Sequence, residues 1–264
     1  MPTADCNGQT LYYEEHGEGE PLLCVMGLSA NTLAWALQVQ AFSASHRTII
    51  FDNRDVGQSS MADGGYEITD MAADALALAD HLGLEQFHLV GVSMGGAIAQ
   101  EIALAAPERI KTLTLAVTWP AGGAWARKLS EVWGARRLKQ TWEEFVDEIL
   151  LLNVSEAFFE IDGAADYVRS MMLADPHPQP AEAFARQLDA SSRHNAGERL
   201  SGLDVPTQVI GAEQDILVPV WKSKELAELI PGAKLTVLDG SAHGLNLERA
   251  EDFNKLVLDF AAAS

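Results

Sequence analysis

The stretch Phe87-His88-Leu89-Val90-Gly91-Val92-Ser93-Met94-Gly95-Gly96-Ala97-Ile98-Ala99-Gln100 decides the fold. Residues 87–91 have the length and apolarity of a buried strand, and residues 94–105 form an Ala-rich helical run that stops near Pro107. No linker separates them, so Ser93 stands where a strand passes directly into a helix. The pattern Gly91-x-Ser93-x-Gly95 is what such a turn demands, since side chains at either glycine would crowd it and the serine between them is lifted clear of the sheet. The helix that begins there leaves its first N–H groups free, and the N–H of Met94 is placed to meet negative charge developing beside the Ser93 hydroxyl. A dinucleotide-binding turn fits less well. Ser93 would take the second glycine position of G-x-G-x-x-G, where backbone must approach a pyrophosphate.

Working outward, short apolar runs at 11–15, 21–26, 48–52, 111–117, 207–211 and 234–238 read as further strands. Helical runs at 68–82, 222–229 and 249–262 separate or follow them, with Thr69 as an N-cap and Gly83 as a stop for the first. Strands alternating with helices specify an α/β protein built on a mostly parallel sheet. From Trp119 to about Leu200 the β-branched runs vanish and helical patterns dominate, so the chain divides into core segments 1–118 and 201–264 around a helical insertion at 119–200. No internal repeat or low-complexity tract interrupts this order.

The 264 residues are 48% hydrophobic and 21% charged, enough for one sizeable core, which excludes a disordered chain or a disulfide-stapled miniprotein. Two cysteines, Cys6 and Cys24, supply neither a disulfide framework nor a Cys-rich zinc site and suit a reducing compartment. Eighteen Lys and Arg against 38 Asp and Glu give a net charge of −20, which repels phosphate backbones and anionic membranes, so neither nucleic acid nor membrane is an expected partner. The N-terminus lacks a basic segment followed by an apolar run, and no stretch reaches the ~18 apolar residues of a membrane span; a soluble cytoplasmic protein is expected. No H-x-x-x-H, C-x-x-C or EF-hand pattern occurs, so no metal or other cofactor is expected.

A serine hydroxyl is a poor nucleophile at neutral pH; it needs a base, and the base needs an acid to orient its ring. Both occur downstream. Asp215 lies in the loop after the strand 207–211, and His243 lies in the loop after the strand 234–238. The C-terminal ends of parallel strands share one edge of a sheet, so Ser93, Asp215 and His243 can meet there. Glu213 and Asp239 are rival acids, but Asp239 is close enough to the histidine to read as a turn residue and Glu213 precedes the position from which the loop reaches back. A second oxyanion donor is expected after the strand 21–26, where Met26-Gly27-Leu28-Ser29-Ala30 lets the chain turn at Gly27 and offers the N–H of Leu28.

These residues resemble the α/β-hydrolase family over nearly the whole chain. Gly91 to Gly96, Asp215 and His243 match its nucleophile, acid and base in the expected order. The loop Asp52-Asn53-Arg54-Asp55-Val56-Gly57-Gln58-Ser59 is similar to the family's D-x-R-G-x-G-x-S, with Asp55 in place of glycine. Met26-Gly27 stands where most members carry His-Gly. The segment from Val25 to Trp35 is similar to polyketide methylesterases of the aclacinomycin type, and the serine turn and Arg54 loop to 3-oxoadipate enol-lactonases and acyl-homoserine lactonases. The resemblance implies an eight-stranded, mostly parallel sheet with helices on both faces and a helical cap. It implies hydrolysis of a small apolar ester or lactone by way of an acyl-enzyme, with water as the other reactant. Carbon–carbon bond hydrolysis, perhydrolysis and ligand binding with vestigial turnover are the alternatives, and a homo-oligomer is left open. Gly27, Trp119 and Trp125 are expected to border the substrate, whereas the basic cluster Arg127, Lys128, Arg136, Arg137 and Lys139 is expected to be a solvated helix face.

Overall fold

The computed structural model describes residues 2–263. Eight strands form one sheet: β1 (Thr3–Cys6), β2 (Gln9–His16), β3 (Glu20–Val25), β4 (His46–Phe51), β5 (Phe87–Val92), β6 (Ile110–Ala116), β7 (Thr207–Ala212) and β8 (Lys234–Leu238). Their order is β1-β2-β4-β3-β5-β6-β7-β8. β1 and β2 are antiparallel to their neighbours, and every pairing from β4 to β8 is parallel. β1 lies outside the strands expected from sequence. Asn7 and Gly8, both at positive φ, turn the chain back so that Ala4 and Cys6 are buried against β2.

The central strands are buried from end to end because helices cover both faces of the sheet. On one face lie α2 (Ile68–His81), α3 (Met94–Ala105) and α9 (Val220–Leu229), and on the other α1 (Ala36–Phe42) and α11 (Ala250–Ala262), which the single turn α10 (Leu245–Glu248) precedes. The start of α2 differs from expectation. Its N-cap is Glu67, which with Asp70 forms a reciprocal capping box, and Thr69 falls inside the first turn.

Between β6 and β7 stand five helices, α4 (Gly123–Arg137), α5 (Trp142–Asn153), α6 (Glu156–Phe159), α7 (Ala164–Leu173) and α8 (Ala181–Arg193). They have a small core of their own in Trp133, Phe145, Phe184 and Leu188, with edge-to-face ring contacts. The two ends of this insertion meet: the N–H groups of Ala196 and Gly197 donate to the Pro120 carbonyl at 2.9 and 3.2 Å, and Gly122 N–H donates to the His194 carbonyl at 2.9 Å. Among the described residues no helix is long and apolar enough to cross a membrane.

The register positions the site. β3 lies between β4 and β5, where the strand order reverses, the position at which open α/β sheets bind ligands outside the strands' C-terminal ends. Val25 pairs with Gly91, Val92 with Ala116, Ala116 with Ile210 and Ala212 with Leu238, so the loops after β3, β5, β7 and β8 leave the sheet side by side.

Candidate active site

Ser93 has φ +56° and ψ −122°, a strained conformation for a side-chain-bearing residue, and its N–H is anchored on the Ala116 carbonyl at 2.9 Å. The glycines around it are sterically required. A Cβ at Gly95 would lie 2.0 Å from the Val25 carbonyl oxygen, and one at Gly91 would lie 2.4 Å from the Gly95 carbonyl oxygen.

The loops after β7 and β8 deliver the other two groups. Gln214 N–H donates to the Ser241 carbonyl at 2.8 Å, which ties the two loops together. His243 Nε2 is 2.9 Å from Ser93 Oγ, and His243 Nδ1 is 2.7 Å from Asp215 Oδ2. The other carboxylate oxygen accepts the N–H groups of Leu217 and Val218 at 2.9 and 2.7 Å, so Asp215 is fixed before it fixes the imidazole. With the carboxylate accepting at Nδ1, the lone pair of Nε2 faces the Ser93 hydroxyl. All three residues are buried, and Ser93 keeps 9% of its surface exposed. Of the rival acids, Glu213 accepts the Gly240 N–H with its carboxylate, and Asp239 is exposed in the turn after β8.

Gly27 comes up against the serine. A Cβ there would lie 3.0 Å from Ser93 Cβ and 3.5 Å from its Oγ, so the loop that carries Leu28 runs beside the hydroxyl. Met94 is wholly buried at the first position of α3. The half-buried Leu28 side chain packs on the insertion's core, as does Leu217 from the Asp215 loop. Trp119 is half-buried against the main core, and its carbonyl accepts from Gln100.

Trp125 departs from expectation. It is 65% exposed on α4, and Trp133, two turns further along, takes the inward face instead. Arg137 departs as well. The other members of the basic cluster are exposed, but Arg137 is buried, stacks on Phe145 at 4.5 Å and donates to the carbonyls of Gln140 and Gln179.

The loop after β4 is a scaffold for the loop after β3. Asp52 accepts the N–H groups of Thr32 and Gln58 at 2.7 and 2.8 Å, and burial pushes its carboxyl above the usual carboxylate range. Arg54 forms a buried bidentate pair with Asp74 of α2 at 2.6 and 2.7 Å and lies over the Tyr66 ring. Asp55 adopts φ +67° and pairs with Arg186 of α8 at 3.0 and 2.7 Å. Gln179 and Gln187, which add further bonds from the insertion to this region, carry no pattern that sequence reading could have used. Among the described residues, no group of three or more His, Cys, Asp or Glu side chains is placed to hold a metal ion.

RutD of Azorhizobium caulinodans, named as a candidate carbamate hydrolase, is 32% identical over 261 residues, covering 98% of each chain. The crystal structure of the enol-lactonase from Burkholderia xenovorans LB400 superposes with a TM-score of 0.89 at 26% identity, over 99% of this chain and 100% of that one. BpoC from Mycobacterium tuberculosis H37Rv, named as a candidate non-heme bromoperoxidase, gives a TM-score of 0.88 at 27% identity over 96% of each chain. The family profile described as the alpha/beta hydrolase fold matches residues 20–250, and the chain belongs to that family.

Proposed function

We propose that this chain is a serine hydrolase that cleaves a carboxylic ester or lactone through an acyl-enzyme. The observation that carries the reading is the unbroken hydrogen-bond chain from Ser93 Oγ through both ring nitrogens of His243 to Asp215 and on to two backbone N–H groups. His243 Nε2 takes the hydroxyl proton as Ser93 Oγ attacks the carbonyl carbon, and Asp215 stabilises the imidazolium that results. The carbonyl oxygen gains negative charge and is held by the N–H groups of Met94 and Leu28, each such donor worth ~3 kcal/mol in the transition state. The imidazolium then protonates the leaving alcohol, which stays tethered to the acyl group when the substrate is a lactone. Water attacks the acyl-enzyme with His243 as base, a second tetrahedral intermediate collapses, and the acid leaves.

The helices at 119–200 serve as the cap over this site. Their core of Trp133, Phe145, Phe184 and Leu188 reaches Leu28 and Leu217, which supports a small apolar substrate held by burial. The likeness to RutD adds carbamates to the substrates worth testing, since a carbamate presents the same kind of carbonyl to Ser93. Buried, unpaired Cys6 and Cys24 are consistent with a reducing compartment, and we read the protein as cytoplasmic.

The test is acid release in a pH-stat over short and long acyl esters, lactones and carbamates, with wild type and Ser93→Ala side by side. Turnover abolished by Ser93→Ala is the expected result. Turnover that survives the substitution would overturn the mechanism, and no turnover across the panel would remove ester and lactone hydrolysis from consideration.

A further inference from the structure

The loop after β3 lacks the histidine that most family members carry before Gly27. Met26 in that place is 4% exposed and packed into the core with Trp35 and Val92, where its thioether is a poor anchor for backbone. Two other side chains hold the loop. Asn53 Nδ2 donates to the Met26 carbonyl at 3.0 Å from the core side. Gln187, wholly buried on α8, accepts the Ser29 N–H at 2.9 Å from the cap side.

The positions of these two bonds matter. Peptide groups are planar units. The Met26 carbonyl belongs to the unit joining residues 26 and 27, the Leu28 N–H to the unit joining 27 and 28, and the Ser29 N–H to the unit joining 28 and 29. Asn53 and Gln187 therefore pin the units on either side of the one that carries the Leu28 N–H. Gly27 has no Cβ to restrict rotation between the first two units, and the middle unit's own carbonyl accepts only a long 3.4 Å bond from the Ala30 N–H, so its orientation rests mainly on that pinning. Ser29 is at φ +66°, a conformation a side-chain-bearing residue leaves when nothing holds it. The Leu28 side chain also packs against the cap's aromatic core.

Gln187 itself is over-determined. A backbone N–H can only donate, so Oε1 must face Ser29, and the amide nitrogen then donates to the Arg54 carbonyl at 3.3 Å. Gln179 Nε2 donates to the same Oε1 at 3.1 Å and to the Asp55 carbonyl at 2.9 Å.

We propose that Gln187 is a positioning residue for the oxyanion: acting through Ser29, it sets the direction of the Leu28 N–H, so that seating the cap and completing the second oxyanion donor are one event. The inference rests on the reading of Ser93 and Leu28 given above. A cap that lifts takes the acceptor with it, and the loop is then free to turn the donor away.

The experiment compares Gln187→Leu, Gln187→Glu and Arg169→Met with wild type on an ester that shows Ser93-dependent turnover. A trifluoromethyl ketone, whose adduct with Ser93 carries an oxyanion, reports the donors, and the matching methyl ketone reports ground-state binding. Gln187→Leu should lower kcat about 10- to 100-fold with little change in KM, and weaken the trifluoromethyl ketone by the same factor while the methyl ketone is unaffected. Gln187→Glu keeps the acceptor for Ser29 but loses the donor to the Arg54 carbonyl, and should restore part of both. Arg169→Met breaks bonds to Glu143 and Asp147 that lie wholly within the insertion and should leave the trifluoromethyl ketone affinity within about twofold. If Gln187→Leu does not fold, Gln187→Asn, one methylene too short to reach both Ser29 and Arg54, carries the same expectation. Unchanged trifluoromethyl ketone affinity in either variant, with Ser93-dependent turnover intact, would overturn the proposal; turnover that is independent of Ser93 would instead overturn the reading it rests on.

Discussion

Replacing Arg54 with methionine isolates the ion pair that fastens the loop after β4 to α2. Arg54 and Asp74 have side chains 8% and 2% exposed and meet through two bonds of 2.6 and 2.7 Å. In Arg54→Met the Asp74 carboxylate stays buried with only Asn7 Nδ2, at 3.1 Å, as a partner. Leaving one member of a buried pair uncompensated costs about 3–5 kcal/mol, and the guanidinium over Tyr66 at 5.0 Å adds up to ~1 kcal/mol. With a shift of roughly 2–4 °C per kcal/mol for a chain of this size, calorimetry should show Tm falling by about 10 °C. The double variant Arg54→Met/Asp74→Leu removes both charges and should recover most of that loss, because the penalty comes from desolvation rather than from a missing attraction. Urea unfolding of wild type, both single variants and the double variant closes the cycle. A loss below about 1 kcal/mol in Arg54→Met, or no recovery in the double variant, would refute the reasoning.

Other outcomes follow from equally local geometry. Asp215→Asn keeps an acceptor for Leu217 and Val218 but turns an N–H donor toward His243 Nδ1, forcing the ring into the wrong tautomer; kcat in a stopped assay should fall by about 10³–10⁴ with the fold intact by circular dichroism. Gly95→Ala places a methyl group 2.0 Å from the Val25 carbonyl oxygen, so soluble yield should drop and, if the variant folds, urea unfolding should show a stability loss of several kcal/mol. Burial, reinforced by Arg199, pushes the His194 imidazole down to about 3. The unfolded chain therefore takes that proton first: this contribution to stability is full above about pH 6.5 and is lost as pH falls from there toward about 3, at most ~5 kcal/mol in all. His194→Gln should flatten the fall in urea midpoint between pH 7 and pH 4.5 relative to wild type; an equally steep fall would show that other groups carry it.

The sequence-to-structure correspondence is uneven for physical reasons. Ser93, Asp215 and His243 come together because each follows a parallel strand, and the ends of those strands are legible as apolar runs closed by polar loops. β1 was not legible, since four residues with a single β-branched member make no run, and only the Asn7-Gly8 turn marks it. Trp125 and Trp133 could not be told apart because the face α4 turns toward α8 is set by tertiary packing. Arg137 did leave a trace: it stands one helical turn after Trp133, on the same face, and that spacing outweighs its membership of a basic cluster. Gln179 and Gln187 left none. Their partners in the loops after β3 and β4 are more than a hundred residues away along the chain, and neither the Pro-rich turn around Gln179 nor the helix around Gln187 gives a local sign of what its glutamine will meet.

The meeting of Pro120 with Ala196 and Gly197, and of Gly122 with His194, makes the helices between them a closed excursion. The sheet experiences only a short splice between β6 and β7, whatever the length or content of the detour. Closure entropy grows slowly with loop length, so residues can be gained or lost within the detour at small cost to the rest of the molecule. Selection can then reshape the helical insertion almost independently of the sheet beneath it. The exceptions are the few side chains, Gln187 foremost, through which the detour grips the loops below.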